Sequence, residues 1–530
     1  MAINIKNRED GFTKLLHGME CFVNTLKVTF GPLGRHVALQ KSGERPQLTR
    51  MGAEVSADFE LPDSFQNMGV SLMREMALAT HKKAGDGSVM STLIAVELIK
   101  DLSRLALNHS IVDLGKGLRS ASDSARASLI ASAKPARTSR QMSDLMTTSV
   151  GGAVWVVEPV LKVLKKLGAF GVVTFSDSDS IENELTFQKG FTFDKSLISP
   201  YFDDPCKEFA ELDDARILIC ADTIHNMEDV LRITEKVVEQ DRPLLIIADK
   251  IGEEALSLLI LNKNNGTLNC LAVKAPGFGA GRIDLLEDIA AFTGGKVFGD
   301  SLGISLASVM IDDLGRARKI RVERSRTIIM EGKGAKSRIA KRVKELKARM
   351  ARETLDYEKQ TLDDRTAKMT AGVANIGVGG YTERDRALRR VEITQAYAAL
   401  RAGVGGGVIH GGGIGLLMTA SELAGEKRRG AAHSARRALA RALSAPFCAL
   451  VDNSGASGPY MQEKIIDGGF KLGYNVATRK LEKLSSWSVI DPVTTVLAAI
   501  ESAVSLAVTV MSSEVFIADE PYIMAPDENP

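Results

Sequence analysis

What most constrains the fold of this 530-residue chain is a change of hydrophobic period along it. Over residues 12–28, 67–82 and 91–107 the apolar side chains recur at helical spacing. From about Gly168 they give way to short β-branched runs, Val172-Val-Thr-Phe175, Ile217-Leu-Ile-Cys220 and Leu244-Leu-Ile-Ile247, that alternate with helical segments. Toward the C-terminus the helical period returns. Helical ends around an α/β middle predict that the two ends pair into one domain and that the middle is inserted into it. Within the middle, helices are expected over 227–239 and 253–262, the second apolar on more than one face. Residues 333–352 carry nine basic side chains and one acid, with Ile339, Val343, Leu346 and Met350 at spacings of four, three and four. That pattern predicts one arm of a helical hairpin, with 357–369 as the return.

Composition removes several classes of function. With 45% hydrophobic and 25% charged residues the chain is an ordinary folded, water-soluble protein, long enough for three or four domains. Lys and Arg number 68 against 66 Asp and Glu, so the net charge of +2 gives no reason to expect a polyanion partner. The five cysteines, Cys21, Cys206, Cys220, Cys270 and Cys448, are odd in number and none forms a CxxC pair, which argues against a disulfide framework and a zinc site. The N-terminal residues lack the order of a signal or transit peptide, so a cytoplasmic location is expected. The apolar stretch 493–511 holds Glu501 near its centre, at a cost of about 3 kcal/mol for membrane insertion, and is read as a buried helix. The seven histidines are dispersed in sequence with no nucleophile motif near them. Neither GxxxxGK[ST] nor GxGxxG occurs, leaving two other glycine loops, Gly31-Pro-Leu-Gly34 and Gly85-Asp-Gly87, as candidate phosphate seats.

Nine segments share the order and approximate spacing of one family. They are Val28-Thr-Phe-Gly-Pro-Leu-Gly-Arg35, Ala84-Gly-Asp-Gly-Ser88, Leu197-Ile-Ser-Pro-Tyr-Phe202, Pro243-Leu-Leu-Ile-Ile-Ala248, Val273-Lys-Ala-Pro-Gly-Phe-Gly279, Thr293-Gly-Gly295, Gly411-Gly-Gly413, Gly473-Tyr-Asn475 and Asp491-Pro492. Taken together the chain resembles the group I chaperonins, the GroEL family, over nearly its whole length. The resemblance implies a multi-domain α and α/β fold. A mainly helical equatorial domain would be split between residues 1–132 and 406–530. A small intermediate hinge domain would comprise 133–188 and 373–405, and an inserted α/β apical domain would span 189–372. Gly190 and Gly379 fall at the implied apical junctions.

The same resemblance implies a site for ATP and Mg2+. Thr29, Phe30, Gly31 and Pro32 match a phosphate-contacting loop. Asp86 matches the magnesium ligand, and Gly87, Ser88, Val89 and Met90 the residues after it. Arg50, Gly412, Asn475, Val476, Ala477 and Asp491 match positions that complete the phosphate, adenine and ribose contacts. A carboxylate beside phosphates makes chemical sense when a hard cation lies between them. The departures are equally informative. The family's row of threonines after Gly-Asp-Gly reads Ser88, Val89, Met90, which keeps one hydroxyl and loses two. Its Lys-Asp-Gly reads Arg50, Met51, Gly52, so an acid is replaced at Met51. A second family aspartate follows Arg-Val-Glu. Literal matching of Arg390-Val-Glu392 puts Ile393 there, whereas counting back from Gly411 puts Gln395 there. Loss of one general base costs about 10²–10⁴ in rate. ATP binding with weakened or absent hydrolysis is therefore expected, unless Glu54 or Glu392 substitutes and the chain is a fully active ATP-driven foldase.

Leu197, Tyr201, Phe202, Leu231, Leu256, Ile260 and Leu261 match the apical face that captures non-native polypeptides and the loop of a GroES-type co-chaperonin. Such a face works by apolar burial, worth about 25 cal/mol per Å². Thr234 stands where the family has leucine. The resemblance further implies a homo-oligomeric, heptamer-based ring, although Gly405-Gly-Gly407 replaces the family's Glu-Glu-Gly and puts standard assembly in question. A reading of another class assigns the basic helix 333–352 to nucleic acid, against a solvated face of a hairpin.

Overall fold

The computed structural model describes residues 3–40, 47–49, 52–57, 59–168, 172–178, 180–202, 209–225, 227–353, 356–370, 372–425 and 429–519. Two compact units emerge, one formed by Met1–Leu161 with Leu388–Pro530 and the other by Lys162–Ala387. Their limits fall inside the helices Val157–Leu167 and Glu383–Gly406.

The first unit is helical and is built from both ends of the chain. Helix Arg8–Lys27 lies on Ser64–Ala84, Val493–Met511 on Ser88–Leu105, and Gly430–Asn453 on both Ile111–Ser132 and Ser88–Leu105. Leu15, Met19 and Phe22 from the start of the chain and Leu443, Val496 and Ile500 from its end therefore share one buried core. Strand Ile3–Asn7 pairs antiparallel with Val515–Asp519. Local signals explain the helix limits. The Asp63 carboxylate accepts from the Phe65 and Gln66 amides at the start of Ser64–Ala84, and Gly85, in the left-handed region, ends that helix. Gly18 and Gly69 explain why the first two helices cross so closely. A Cβ on Gly18 would fall 2.0 Å from the Gln66 carbonyl oxygen, and one on Gly69 would fall 2.1 Å from that of Leu15. The apolar helix Val493–Met511 packs into this core, and its Glu501 pairs with Lys83 at 2.8 Å and Arg126 at 3.3 Å.

Among the described residues, the second unit carries a mixed sheet of nine strands. Its main path runs Val172–Asp177, Gly372–Val378, Glu184–Phe193, Thr327–Gly332, Gly315–Glu323, Phe209–Cys220, Leu244–Ala248, Cys270–Lys274, with Val297–Phe298 beside Phe209–Cys220. Strands Phe209–Cys220, Leu244–Ala248 and Cys270–Lys274 are parallel to one another. Every residue of Leu244–Ala248 is buried, as a parallel strand covered on both faces requires. Gly190 sits inside Glu184–Phe193, where a Cβ would lie 2.2 Å from the Val373 side chain, so close strand packing alone accounts for this glycine.

The basic segment forms helix Lys336–Arg352, and it packs as a hairpin against Asp356–Thr370. Leu346 is fully buried, and Ile339, Val343 and Met350 rest on the same core. Lys336, Arg338, Lys341, Lys344, Lys347, Arg349 and Arg352 are exposed, and Arg342 is the exception. Asp288, with no exposed surface, accepts from Arg342 Nε at 2.7 Å and from Arg365 Nε at 2.7 Å. Asp284, one helical turn earlier on Gly279–Thr293, accepts from Arg365 at 3.0 Å and Arg349 at 2.9 Å. Arg342 on this helix and Arg365 on its return thus turn inward to neutralise Asp288. Cys21, Cys270 and Cys448 are free thiols, and Cys206 lies outside the described residues.

Candidate functional site

A cavity of about 710 Å³ opens in the first unit. Thr29, Phe30, Gly31, Pro32, Asp86, Gly87, Ser88, Val89, Met90, Gly412, Asn475, Val476, Ala477 and Asp491 all line it. Residues far apart in sequence are brought together because the two ends of the chain share this unit. Arg50, Met51 and the side chain of Glu54 lie outside what the structure describes.

Glycines set the close approaches. Gly31 has φ of 83°, and a Cβ there would fall 2.3 Å from the Leu450 side chain. The Asn453 amide donates to the carbonyls of Lys27 at 2.8 Å and Phe30 at 2.9 Å, pinning the 29–32 loop to helix Gly430–Asn453. At Gly85, with φ of 74°, a Cβ would lie 2.7 Å from Ala398. The bare backbone there lets helix Glu383–Gly406 come down on the loop that carries Asp86. One turn before Ala398 on that helix, Gln395 reaches the cavity beside Asp86, whose carboxyl it helps to hold down. Ile393 is fully buried in the core. The position that faces Asp86 is therefore Gln395, the one found by counting back from Gly411.

The electrostatics point to a ligand of mixed charge. Helix Ser88–Leu105 starts at Gly87 with no side-chain cap, and helix Val493–Met511 starts after Pro492 with none. Residues of both first turns line the cavity, so the positive ends of two helix dipoles meet there, with the Val493 amide already donating to the Gly407 carbonyl at 3.1 Å. Such termini favour anions. Two carboxylates stand in the same space. Burial pushes the Asp86 carboxyl above its ordinary range, against hydrogen bonds from the Gly87 N–H, at 2.7 Å, and Gln395, and against His81. Asp491 is pushed up to about 6, by burial first and then by the Asp86 charge, against a hydrogen bond from the Gly412 N–H. Among the described residues no group of three or more His, Cys, Asp or Glu side chains could hold a metal alone. A pair of carboxylates completed by phosphate oxygens is what Mg2+ accepts.

Some expected contacts are already engaged within the protein. The Asn475 carbonyl oxygen accepts from the amides of Ala477 at 3.1 Å and Thr478 at 3.4 Å, while its NH2 donates to Glu482 at 3.2 Å. Its side chain shapes the turn, and a ligand would meet the backbone. Sequence reasoning missed His36, His81, Thr495 and the segment from Ser143 to Gly152, all of which contribute to the lining. The clustered hydroxyls Thr147, Thr148 and Ser149 before Gly151-Gly152 were the available signal.

A family model, the TCP-1/cpn60 chaperonin family, matches residues 22–521. The chain belongs to this family. Among solved structures, this chaperonin is similar to the chaperonin gp146 of bacteriophage EL 2 (Pseudomonas aeruginosa), crystallised in the presence of ATP-BeFx. The match has a TM-score of 0.77 at 17% identity and covers 98% of this chain and 99% of that one, which establishes the chaperonin fold.

In the second unit of this chaperonin, helices Met227–Val238 and Glu253–Asn264 pack side by side. Of the residues assigned to polypeptide capture, Tyr201 is 73% and Leu261 57% exposed. Leu197, Leu231, Leu256 and Ile260 are half-buried, three of them, Leu197, Leu256 and Ile260, against the core. Phe202 is corrected: it is fully buried, with Lys263 over its ring and bonded to its carbonyl, so it supports the surface from beneath. Thr234 is likewise buried, its hydroxyl donating to the Leu231 carbonyl at 2.8 Å, and offers no anchor in place of leucine. Phe278, 75% exposed, was not anticipated.

Proposed function

We propose that this chaperonin binds ATP with Mg2+ in the 710 Å³ cavity, hydrolyses it slowly or not at all, and holds non-native polypeptides on the apolar surface of its second unit. One observation carries the reading. The residue that helix Glu383–Gly406 brings beside Asp86 is Gln395, an amide, in a cavity otherwise furnished for a metal–phosphate ligand. The uncapped first turns at Ser88 and Val493 would seat phosphate oxygens, and Asp86 with Asp491 would hold the magnesium ion. When bound, magnesium supplies charge neutralisation for the phosphates. Gln395 can orient Asp86 or a water molecule but cannot take a proton, so the step that needs a general base loses about 10²–10⁴ in rate.

A second reading, an active ATPase, has one observation in its favour: Glu392 also lines the cavity. Turnover separates the two. Polypeptide holding rests on the exposed Tyr201 and Leu261 with the half-buried Leu197, Leu231, Leu256 and Ile260. A GroES-type co-chaperonin would compete for that surface, and assembly into a ring of like subunits follows the family. The cell compartment proposed is the cytoplasm.

The test is equilibrium dialysis of ATP with and without Mg2+, together with suppression of aggregation of a denatured client. Saturable, magnesium-dependent binding lost in Asp86→Ala, with aggregation suppressed by the unaltered chain and less by Leu261→Ser, is expected. Unchanged ATP binding in Asp86→Ala overturns the site assignment.

A further inference from the structure

Several hydroxyl groups of the cavity lining are committed to the protein. Thr29 Oγ1 donates to the Leu26 carbonyl at 2.8 Å and Ser88 Oγ to the Ala77 carbonyl at 3.2 Å. Thr148 and Ser149 donate to Asp144 at 2.7 Å and Met146 at 2.8 Å. The one hydroxyl kept after Gly85-Asp-Gly87 is therefore turned back onto its neighbouring helix. Thr495 is different. The residue lines the cavity and is only 5% exposed, and its Oγ1 is buried with no hydrogen-bond partner among the described residues.

Its position relates it to both carboxylates. Thr495 is the third residue of helix Val493–Met511, in the uncapped first turn, four residues after Asp491. Its methyl carbon would lie 3.2 Å from a Cβ placed on Gly87, the residue after Asp86. A 120° turn about the Cα–Cβ bond moves Oγ1 into the place the methyl held, on the Gly87 side, and the methyl into the place of the Cβ hydrogen. A buried hydroxyl left unsatisfied is unfavourable, and a valine would fill the same space without that penalty.

We propose that Thr495 is a further ligand-binding residue of this cavity, its hydroxyl donating to an oxygen of the bound phosphate–magnesium assembly; this rests on the nucleotide reading given above. Thr495 then supplies from a second helix a hydroxyl of the kind that Val89 and Met90 lack. Donor and acceptor are both satisfied only in the bound state, so the contact favours binding without stabilising the empty protein.

The experiment compares the full-length chain with Thr495→Val, Thr495→Ser and Asp86→Ala, reading thermal unfolding without ligand and Mg·ATP affinity by titration calorimetry. Thr495→Val is expected to melt at or above the unaltered chain and to bind about five- to tenfold more weakly, with Thr495→Ser within about twofold of the unaltered chain. Affinity unchanged in Thr495→Val, while Asp86→Ala abolishes binding, overturns this inference and leaves the nucleotide reading standing. A clearly lowered melting point in Thr495→Val shows a structural role for the hydroxyl and overturns it as well. Absence of Mg·ATP binding by the unaltered chain overturns both.

Discussion

Two pairs of aspartates, buried or half-buried, sit in the two units and are treated in opposite ways. In the second unit Asp284 and Asp288 are surrounded by Arg342, Arg349 and Arg365. Burial alone would raise the Asp284 carboxyl, but Arg365 and Arg349 outweigh it and hold the group below its usual range. In the first unit Asp86 and Asp491 face each other, with an amide, backbone N–H groups and His81 nearby, and both are raised. Paired with cations, buried acids belong to the fold. Left beside each other in a cavity with uncapped helix termini, they are destabilising in the empty protein and await a cation with its anionic ligand.

The comparison predicts opposite signs on mutation. Asp288→Asn should cost the second unit the most, about 3–5 kcal/mol, because two arginines lose a buried counter-charge. Chemical unfolding followed by a probe in that unit checks this, and Mg·ATP affinity should be unchanged. Asp491→Asn should do the reverse at neutral pH and stabilise the ligand-free protein by roughly 1–3 kcal/mol. The sign follows from the folded value of about 6 against 3.8 for the free group: between those values the native state holds a proton that the unfolded chain releases. Stability therefore falls as pH rises through about 4 to 6. The advantage of the asparagine should be full above pH 7 and vanish as pH approaches 4, in melting curves across that range. The smallest effect belongs to Arg349→Gln, whose side chain is 54% exposed; a loss below about 1 kcal/mol is expected, shrinking further in salt. A large loss there would show that the arginine cluster acts as one unit.

Much of this arrangement is legible in the sequence, for identifiable reasons. Period distinguishes helical ends from an α/β middle, and the glycine loops mark where backbone must approach backbone. Residues 339, 343, 346 and 350 announce the buried side of the basic helix because helix geometry alone puts them on one face. The partners of that helix are not legible. Arg342 and Arg365 stand 54 and 77 residues from Asp288, and no local period reports an ion pair across such distances. Gln395 shows the same limit at closer range. A local match after Arg390-Val-Glu392 selects Ile393, yet the bare backbone of Gly85 and the contact with Ala398 bring Gln395 to Asp86. Phe202 and Thr234 illustrate that a motif gives a position on the chain but not whether the side chain points outward. Thr495 carries no motif, and its unmatched hydroxyl is visible only once the core around it is built.

The central claim is that an amide at position 395 leaves a site that holds nucleotide without turning it over. Steady-state hydrolysis of Mg·ATP, measured side by side for the unaltered chain, Asp86→Ala and Gln395→Asp, tests it most directly. The unaltered chain and Asp86→Ala are predicted to share one background, with Gln395→Asp rising at least about tenfold above it. Turnover by the unaltered chain that Asp86→Ala abolishes and Gln395→Asp leaves unchanged would contradict the claim and place the proton acceptor elsewhere, at Glu392 first.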